Sequence, residues 1–518
     1  MNRGRGWIVR LAAVGLLGGF PSGAWSEETA RGVVFADGNG DGRRGAGEPG
    51  LADVCVSNGR DVVKTDKEGR YALPAIEGQA VFVIKPRDFM TPVSRQNLPL
   101  FHYLHQPAGS PTTLRYAGVA PTGPLPASID FPLTPRPEPE QFDVLVFGDP
   151  QPRDLTEVGY LARDVVERVD PRGAAFGVSL GDIVYDRLSL FEPYAEVVGT
   201  LGLPWYNVPG NHDHNYDGDG DEQGNESWKR VFGPPTYAFN HGPVHFVVVD
   251  NVRLRGPAEP GQYDAEFGRH LAFLENDLRH VPRDRLVVLL MHIPVVEARD
   301  RERLFALLQD RPHTFSLSAH WHYQQHFFLA ERDGWPGRTP HHHLVHPAAC
   351  GSWWSGGRDE CGIPHTLSRD GAPNGWSVVT FRGADYSIRF VPARRPADEQ
   401  LAIHLPERVP AAELARTELL VNVYAGSERS TVEWRIDGGA WAALARTARP
   451  DPGYEAVRKA EAERKPPPAY KLGEPAVCPH LWVARLPAGL AQGVHVVEVR
   501  TADLFRQTAA ARRILRVE

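Results

Sequence analysis

Cysteine is scarce in this chain, with four residues in 518. No thiolate group is spaced for a soft structural zinc site, and four thiols permit disulfides without requiring them. Long apolar runs are missing too. The one candidate, Leu11 to Phe20, is too short to span a bilayer stably and no second run follows, which argues against a stable membrane anchor. Nor is there an excess of positive charge: 57 Lys and Arg face 64 Asp and Glu, for a net charge of −7. That balance argues against nucleic acid as a stable partner. The rest of the composition, 42% hydrophobic and 23% charged, is that of an ordinary globular protein. The length implies about three domains.

The apolar run belongs to a leader. Arg3, Arg5 and Arg10 form a basic region before it, and Ala24-Trp25-Ser26 resembles a small-x-small cleavage site. Residues 1–26 therefore read as a secretory signal peptide, and the mature protein as periplasmic or secreted. Without that segment, which carries three Arg and no acid, the net charge moves from −7 to −10. In an exported chain Cys350 and Cys361, which flank Gly351-Ser352-Trp353-Trp354-Ser355-Gly356-Gly357, are the expected disulfide pair. Cys55 and Cys478 fall in different expected domains.

Five polar motifs follow one another through the middle of the chain: Gly148-Asp149-Pro150-Gln151, Gly181-Asp182-Ile183-Val184-Tyr185-Asp186, Gly210-Asn211-His212-Asp213, Met291-His292 and Ala319-His320-Trp321-His322. Four close an apolar β-type run (Phe142 to Phe147, Ala174 to Leu180, Trp205 to Val208, Leu286 to Leu290), and the fifth follows the shorter run Thr314 to Leu317. Strand ends are where open α/β sheets bind ligands. Carboxylate, imidazole and amide oxygen suit borderline divalent metals such as Mn, Fe, Zn or Co.

This ordered set resembles the calcineurin-like metallophosphoesterase superfamily, whose pattern runs D-x-H, G-D, G-N-H-[DE], H and G-H-x-H. The resemblance spans about half the chain, from near Phe142 to near Val391. It implies that Asp149, Gln151, Asp182 and His322 hold one metal, with Asp182 bridging to a second held by Asn211, His292 and His320. It also implies a metal-bridged hydroxide as nucleophile, with His212 as general acid oriented by Asp186 or, failing that, Asp213. Two positions depart from the pattern: Gln151 stands where His is usual and should loosen the first metal, and Ala319 stands where Gly is usual. Gly181-Asp182-Ile183-Val184-Tyr185 is similar to the G-D-x-x-Y of purple acid phosphatases, whose Tyr ligates iron. The accompanying D-x-G is missing here, so Tyr185 reads as a residue packed at a strand end.

Residues 27–135 alternate short β runs with Gly, Asn and Pro turns, the pattern of a β-sandwich. Its entrance, Asp37-x-Asn39-x-Asp41-Gly42 with Glu48, has the spacing of a calcium loop, and resembles the loops of bacterial surface B-type repeats more than a regulatory EF-hand. Pro121 to Pro139 reads as a stiff linker. Residues 140–391 alternate strand and helix patterns, including helices from Thr156 to Val169 and from Ala265 to His280, with a hairpin over Thr236 to Asp250. The acidic run Asp217 to Glu222 reads as a solvated loop. His341, His342, His343 and His346 cannot all converge on one ion, because neighbours on a strand face opposite ways. From residue 397 to 518 the pattern is β again, and its tail resembles the C-terminal domain that accompanies such phosphoesterases.

The fold expected is an α/β (α+β) four-layer αββα catalytic domain between two all-β sandwiches. The function expected is an exported dinuclear-metal phosphoesterase acting on a small-molecule or envelope phosphomono- or phosphodiester. Two alternatives are a serine/threonine-type protein phosphatase, suggested by a D-P-Q variant of the first motif, and a cell-surface calcium-dependent binding protein with a degenerate phosphoesterase domain. Trp353-Trp354 and Pro373-Asn374-Gly375-Trp376 are candidates to flank a sugar or base, or else core aromatics and a turn.

Overall fold

The computed structural model describes residues 28–518 except residue 257, so the expected signal segment lies outside the described residues. Side-chain alternation organises the middle of the chain. Along the strand Gln141–Phe147, Phe142, Val144 and Val146 join an apolar layer with Phe176, Phe246 and Leu317. Leu145 and Phe147 join another, with Val158, Leu161, Tyr194 and Val198 of the helices Leu155–Asp164 and Phe191–Gly199. A strand buried on both faces is apolar at nearly every position, as this one is. Each buried side chain of this kind contributes about 1.5–3 kcal/mol.

That strand is central in a five-stranded sheet ordered Trp205–Asn207, Ala174–Ser179, Gln141–Phe147, Gly375–Arg382, Asp385–Pro392. A six-stranded sheet packs against it, ordered Tyr237–His241, Val244–Val248, Leu286–Leu290, Thr314–Ser318, His341–Val345, Gln325–Leu329. The helices His270–Leu278 and Arg301–Leu308 are crossovers between parallel strands of this second sheet. The result is a four-layer αββα domain. An isolated bridge between Gly148 and Ala348 ties the two sheets together at the edge where their parallel strands end.

Two β-rich units flank this domain. The first has two four-stranded sheets, and its core is continuous with that of the catalytic domain: Phe82 meets Phe273 of the crossover helix His270–Leu278 at 5.6 Å and Phe101 meets Tyr237 at 5.0 Å. The expected linker is partly a strand of this unit: Phe131–Pro135 pairs in parallel with Val34 to Ala36, because Ile129, Phe131 and Leu133 are buried at alternate positions. The second unit has a four- and a five-stranded sheet but is not all β. Asp451 caps, and Pro452 opens, a helix Pro452–Ala462 within the polar Lys/Glu/Pro segment.

Other expectations change as well. The helix expected from Ala265 starts at His270, since Tyr263–Ala265 is drawn into pairing with Val252–Leu254. Cys350 and Cys361 are both free: the first is buried beside Gln151 and His322, the second exposed in a turn closed by Asp359. The acidic run is tied down in part, with Asp217 accepting the Arg115 amide at 2.6 Å and Asp221 the Leu254 amide at 3.1 Å. Trp354 and Trp376 are core residues, 1% and 4% exposed. His341 and His343 bond to Thr314, Ser316 and Ser318, whereas His342 faces His326 and Tyr386. Among the described residues no helix is long and apolar enough to cross a membrane.

Candidate metal centre

The five motifs leave their strands in tight turns that meet at one edge. Asp149, Gln151, Asp182, Asp186, His320, His322, Trp353 and Trp354 all have positive φ, between 37° and 71°. They make up eight of the fourteen non-glycine residues in that region among the described residues. Each such conformation costs about 1–2 kcal/mol and persists because the surrounding structure holds it. Two motif glycines exist for space. A Cβ on Gly181 would stand 2.4 Å from His292 Nδ1, and one on Gly210 would stand 2.3 Å from Asp182 Oδ1.

Asp182 lies at the centre, 2% exposed. Its Oδ1 accepts the His212 amide at 2.9 Å and lies 3.3 Å from His292 Nε2, while Oδ2 accepts the Gln151 side-chain N–H at 2.9 Å. On one side stand Asn211, His292 and His320. His292 Nδ1 donates to the Leu180 carbonyl at 2.8 Å, which turns Nε2 toward Asn211 Oδ1 at 3.1 Å, His320 Nδ1 at 3.2 Å and Asp182. One proton on Nε2 can serve only one of these acceptors at a time, whereas a divalent cation among them serves all, so the donor set fits a metal. Asp182, His292 and His320 bring one ligand atom each within 4.8 Å of one another, and they form the one such His/Cys/Asp/Glu group among the described residues.

On the other side stand Asp149, Gln151 and His322. Asp149 is fully buried and accepts the His320 amide on both oxygens, at 3.2 and 3.1 Å. His322 Nδ1 donates to the Gly351 carbonyl at 2.6 Å, leaving Nε2 3.8 Å from Asp149. The Gln151 amide turns its nitrogen to Asp182 and its oxygen toward Cys350 Sγ, 3.9 Å away. Ligation through that oxygen requires the amide to flip, an exchange of isosteric ends.

The electrostatics match a site short of positive charge. Burial raises Asp149 to about 8, and the Asp182 carboxylate adds to the effect. Burial also opposes ionisation of Asp182, but His292 and His212 outweigh it and hold this carboxyl below its usual range. Burial works against charge on His292 as well, yet Asp182 pulls it up to about 9. Burial lowers His320 to about 3 and His322 to about 4, so both are neutral imidazoles with lone pairs to offer.

His212 stands apart from this group. Its Nδ1 lies 2.6 Å from Asp186 Oδ1, and its ring stacks on Tyr185 at 4.4 Å between centroids. Burial alone would lower its pKa; Asp182 and Asp186 overcome that and raise it. Asp213 points elsewhere, accepting the amides of Ile183, Val184 and Gly210 at 3.0, 3.1 and 2.8 Å, and so holds two motif turns together. The calcium-type loop lies apart from this centre. There Asp37 accepts the amides of Gly40 and Gly42, Glu48 those of Gly38 and Gly45, and Asn39 donates to Asp41.

Sequence reasoning passed over Arg153 and Tyr470. Arg153 pairs with Glu157 at 2.8 Å, donates to the Trp353 carbonyl, and lies 3.5 Å over the Tyr470 ring. No local pattern marks Tyr470, which sits in a polar segment far along the chain.

Family models match in three consecutive parts: the N terminal of calcineurin-like phosphoesterase over residues 38–118, calcineurin-like phosphoesterase over 142–324, and the C terminal of calcineurin-like phosphoesterase over 343–508. No curated protein matches the chain. Among solved structures, the purple acid phosphatase PPD1 from yellow lupin (Lupinus luteus) seeds is similar over 66% of this chain and 67% of that one, at 14% identity and a TM-score of 0.35. The chain belongs to the calcineurin-like phosphoesterases and is a metal-dependent phosphoester hydrolase.

Proposed function

We propose that the protein is an exported hydrolase of small-molecule or envelope phosphomono- or phosphodiesters that works with two divalent transition metals drawn from Mn, Fe, Zn and Co. Asp149, Gln151, Asp182 and His322 hold one cation; Asn211, His292 and His320 hold the other, with Asp182 shared. The observation that carries this reading is the two-sided environment of Asp182, whose Oδ1 fronts His292 and whose Oδ2 fronts Gln151. Two such cations lower the pKa of a water and withdraw charge from the phosphoryl oxygens. Export rests on the basic and apolar leader.

The chain's own residues supply the proton. Asp186 takes the Nδ1 side of His212, so Nε2 is left to carry the proton that the departing alkoxide needs. The Tyr185 ring stacked on the imidazole and the main-chain bond from His212 to Asp182 fix that nitrogen relative to the carboxylate.

Elemental analysis of the purified protein should find close to two transition-metal ions per chain, and Asp182→Asn should lose both together with hydrolysis of nitrophenyl phosphate and bis-nitrophenyl phosphate. A full metal complement in that variant would end the shared-ligand assignment.

A further inference from the structure

Beside the donor residues opens a cleft of about 530 Å³ whose two walls come from distant parts of the chain. Tyr185 and Trp353 form the inner wall, and each is stacked on a residue of the centre: Tyr185 on His212, and Trp353 on His322 at 4.2 Å between centroids. The cleft therefore begins one ring's thickness from the proton donor. Pro467, Tyr470 and Lys471, which follow the helix Pro452–Ala462, form the outer wall.

That outer wall is anchored. The Tyr470 carbonyl accepts the Gly356 amide at 2.8 Å, and its ring lies under the Arg153 guanidinium. Buried Tyr454 bonds to Ser352 at 3.1 Å and to the Gly473 carbonyl at 3.0 Å, while the Gly357 amide donates to Glu461 at 2.7 Å. Gly473 lies so close to Trp353 that a Cβ there would stand 2.8 Å from the indole. Even so, Tyr470 stays 51% exposed, an aromatic surface held against the cleft.

The lining chemistry selects its guest. Three aromatic rings and prolines line the cleft with two polar side chains that are already engaged, Arg153 by Glu157 and the Trp353 carbonyl and Ser355 by that same carbonyl; Lys471 pairs with no carboxylate among the described residues, and no Asp, Glu, Asn or Gln side chain takes part. A polyhydroxylated sugar is recognised through several hydrogen bonds from such polar groups, whereas a flat unsaturated ring needs only aromatic faces. We infer that this cleft binds the leaving group of the phosphoester and that this group is a nucleoside, its base against the Trp353 and Tyr470 side and Lys471 drawing in the anionic ester. The assignment rests on the hydrolase reading, because His212 defines which side the leaving group takes.

Full-length, metal-loaded protein tests it with adenosine, adenosine 5′-phosphate, ribose 5-phosphate and methyl phosphate as probes, in wild type, Tyr470→Ala, Tyr470→Phe and Lys471→Ala. Adenosine should bind by calorimetry without turnover, and Tyr470→Ala should weaken it about tenfold while Tyr470→Phe retains it. The KM for adenosine 5′-phosphate should rise by a similar factor in Tyr470→Ala, with kcat and the constants for methyl phosphate unchanged. Lys471→Ala should raise the KM for adenosine 5′-phosphate and make it less sensitive to salt. Absence of adenosine binding to wild type, or equal effects of Tyr470→Ala on adenosine 5′-phosphate and methyl phosphate, would overturn the cleft assignment. A ribose 5-phosphate KM matching that of the nucleotide would assign the cleft to sugar instead. Adenosine binding through Tyr470 in a protein that hydrolyses none of the esters would overturn the hydrolase reading and leave the ring site standing.

Discussion

His212 and Gln151 are the two residues whose roles divide most sharply on measurement. Asp186 lies on the Nδ1 side of His212 and the imidazole is stacked on Tyr185, the arrangement from which we propose that it protonates rather than ligates. His212→Ala should keep both metals and lose about 10²–10⁴ in rate on an alkyl ester, with a much smaller loss on a nitrophenyl ester, whose oxygen departs without a proton. Steady-state rates on both esters, with metal analysis of the variant, decide it; an equal loss on both would make His212 a binder of phosphoryl oxygens. Gln151→His restores the usual imidazole but removes the amide that bonds to Asp182 Oδ2. Its expected outcome is tighter retention of the first metal under dialysis against a chelator, with the fold unchanged. Gln151→Ala that keeps wild-type metal content and rate would make the residue a bystander.

At the scale of elements, the turns matter more than the strands they follow. The strands are ordinary buried β, whereas the turns carry the positive-φ residues that aim Asp149, Asp182, His320 and His322 inward. The calcium-type loop is a turn of another kind, with Asp37 and Glu48 bonded to its own amides. If it holds structural calcium, the ion should raise the melting temperature by several degrees at saturating concentration, since a ligand at a hundred times its Kd contributes about 2.7 kcal/mol. Asp41→Ala should abolish the rise and leave hydrolysis intact. A scanning-calorimetry profile indifferent to calcium would reduce the loop to a solvated acidic turn. The strand ends were readable from their apolar runs and polar closers. The helix Pro452–Ala462 was not, because its only well-buried residue is Tyr454 and its remaining face is polar.

For the whole molecule, the join between the first β unit and the catalytic domain rests on shared apolar core and on buried ionic groups, one where Glu226 and Lys229 meet Gln106, Ser110 and Gly78 and another around Glu138. Lys85 Nζ lies 2.6 Å from Glu138 and 2.6 Å from the Asn240 carbonyl, and His241 lies 3.2 Å from Glu138. Burial works against the Glu138 carboxylate, but His241 and Lys85 prevail and hold it at about 2, below its ordinary 4.5. The depressed value means that its stabilisation is complete above pH 4.5 and is lost as pH falls toward 2. Burial also lowers the pKa of Lys85, so the pair is worth less than the Glu138 shift alone implies. Glu138→Gln should therefore cost about 1–3 kcal/mol at pH 7, with the gap from wild type closing toward pH 2. Denaturant unfolding at both pH values measures this; a pH-independent gap would mean that shape rather than charge holds the join.

The order and chemistry of the five motifs and their position at strand ends were legible in the chain because those signals are local, an apolar run, a turn and a donor residue; the four-layer catalytic fold came with the resemblance that the motifs carry. Which donors face one another is settled by long-range packing. It set Asp186 rather than Asp213 against His212, since Asp213 is taken up by the amide of Gly210 in its own motif and by those of Ile183 and Val184, about thirty residues earlier in the chain. It also kept Cys350 and Cys361 apart, sent Trp354 into the core while Trp353 stayed beside His322, and brought Tyr470 against Arg153 across more than half the chain. Periodicity reports which way a side chain leaves its own element. The partner it meets depends on how separate elements pack, and no window of the sequence contains that.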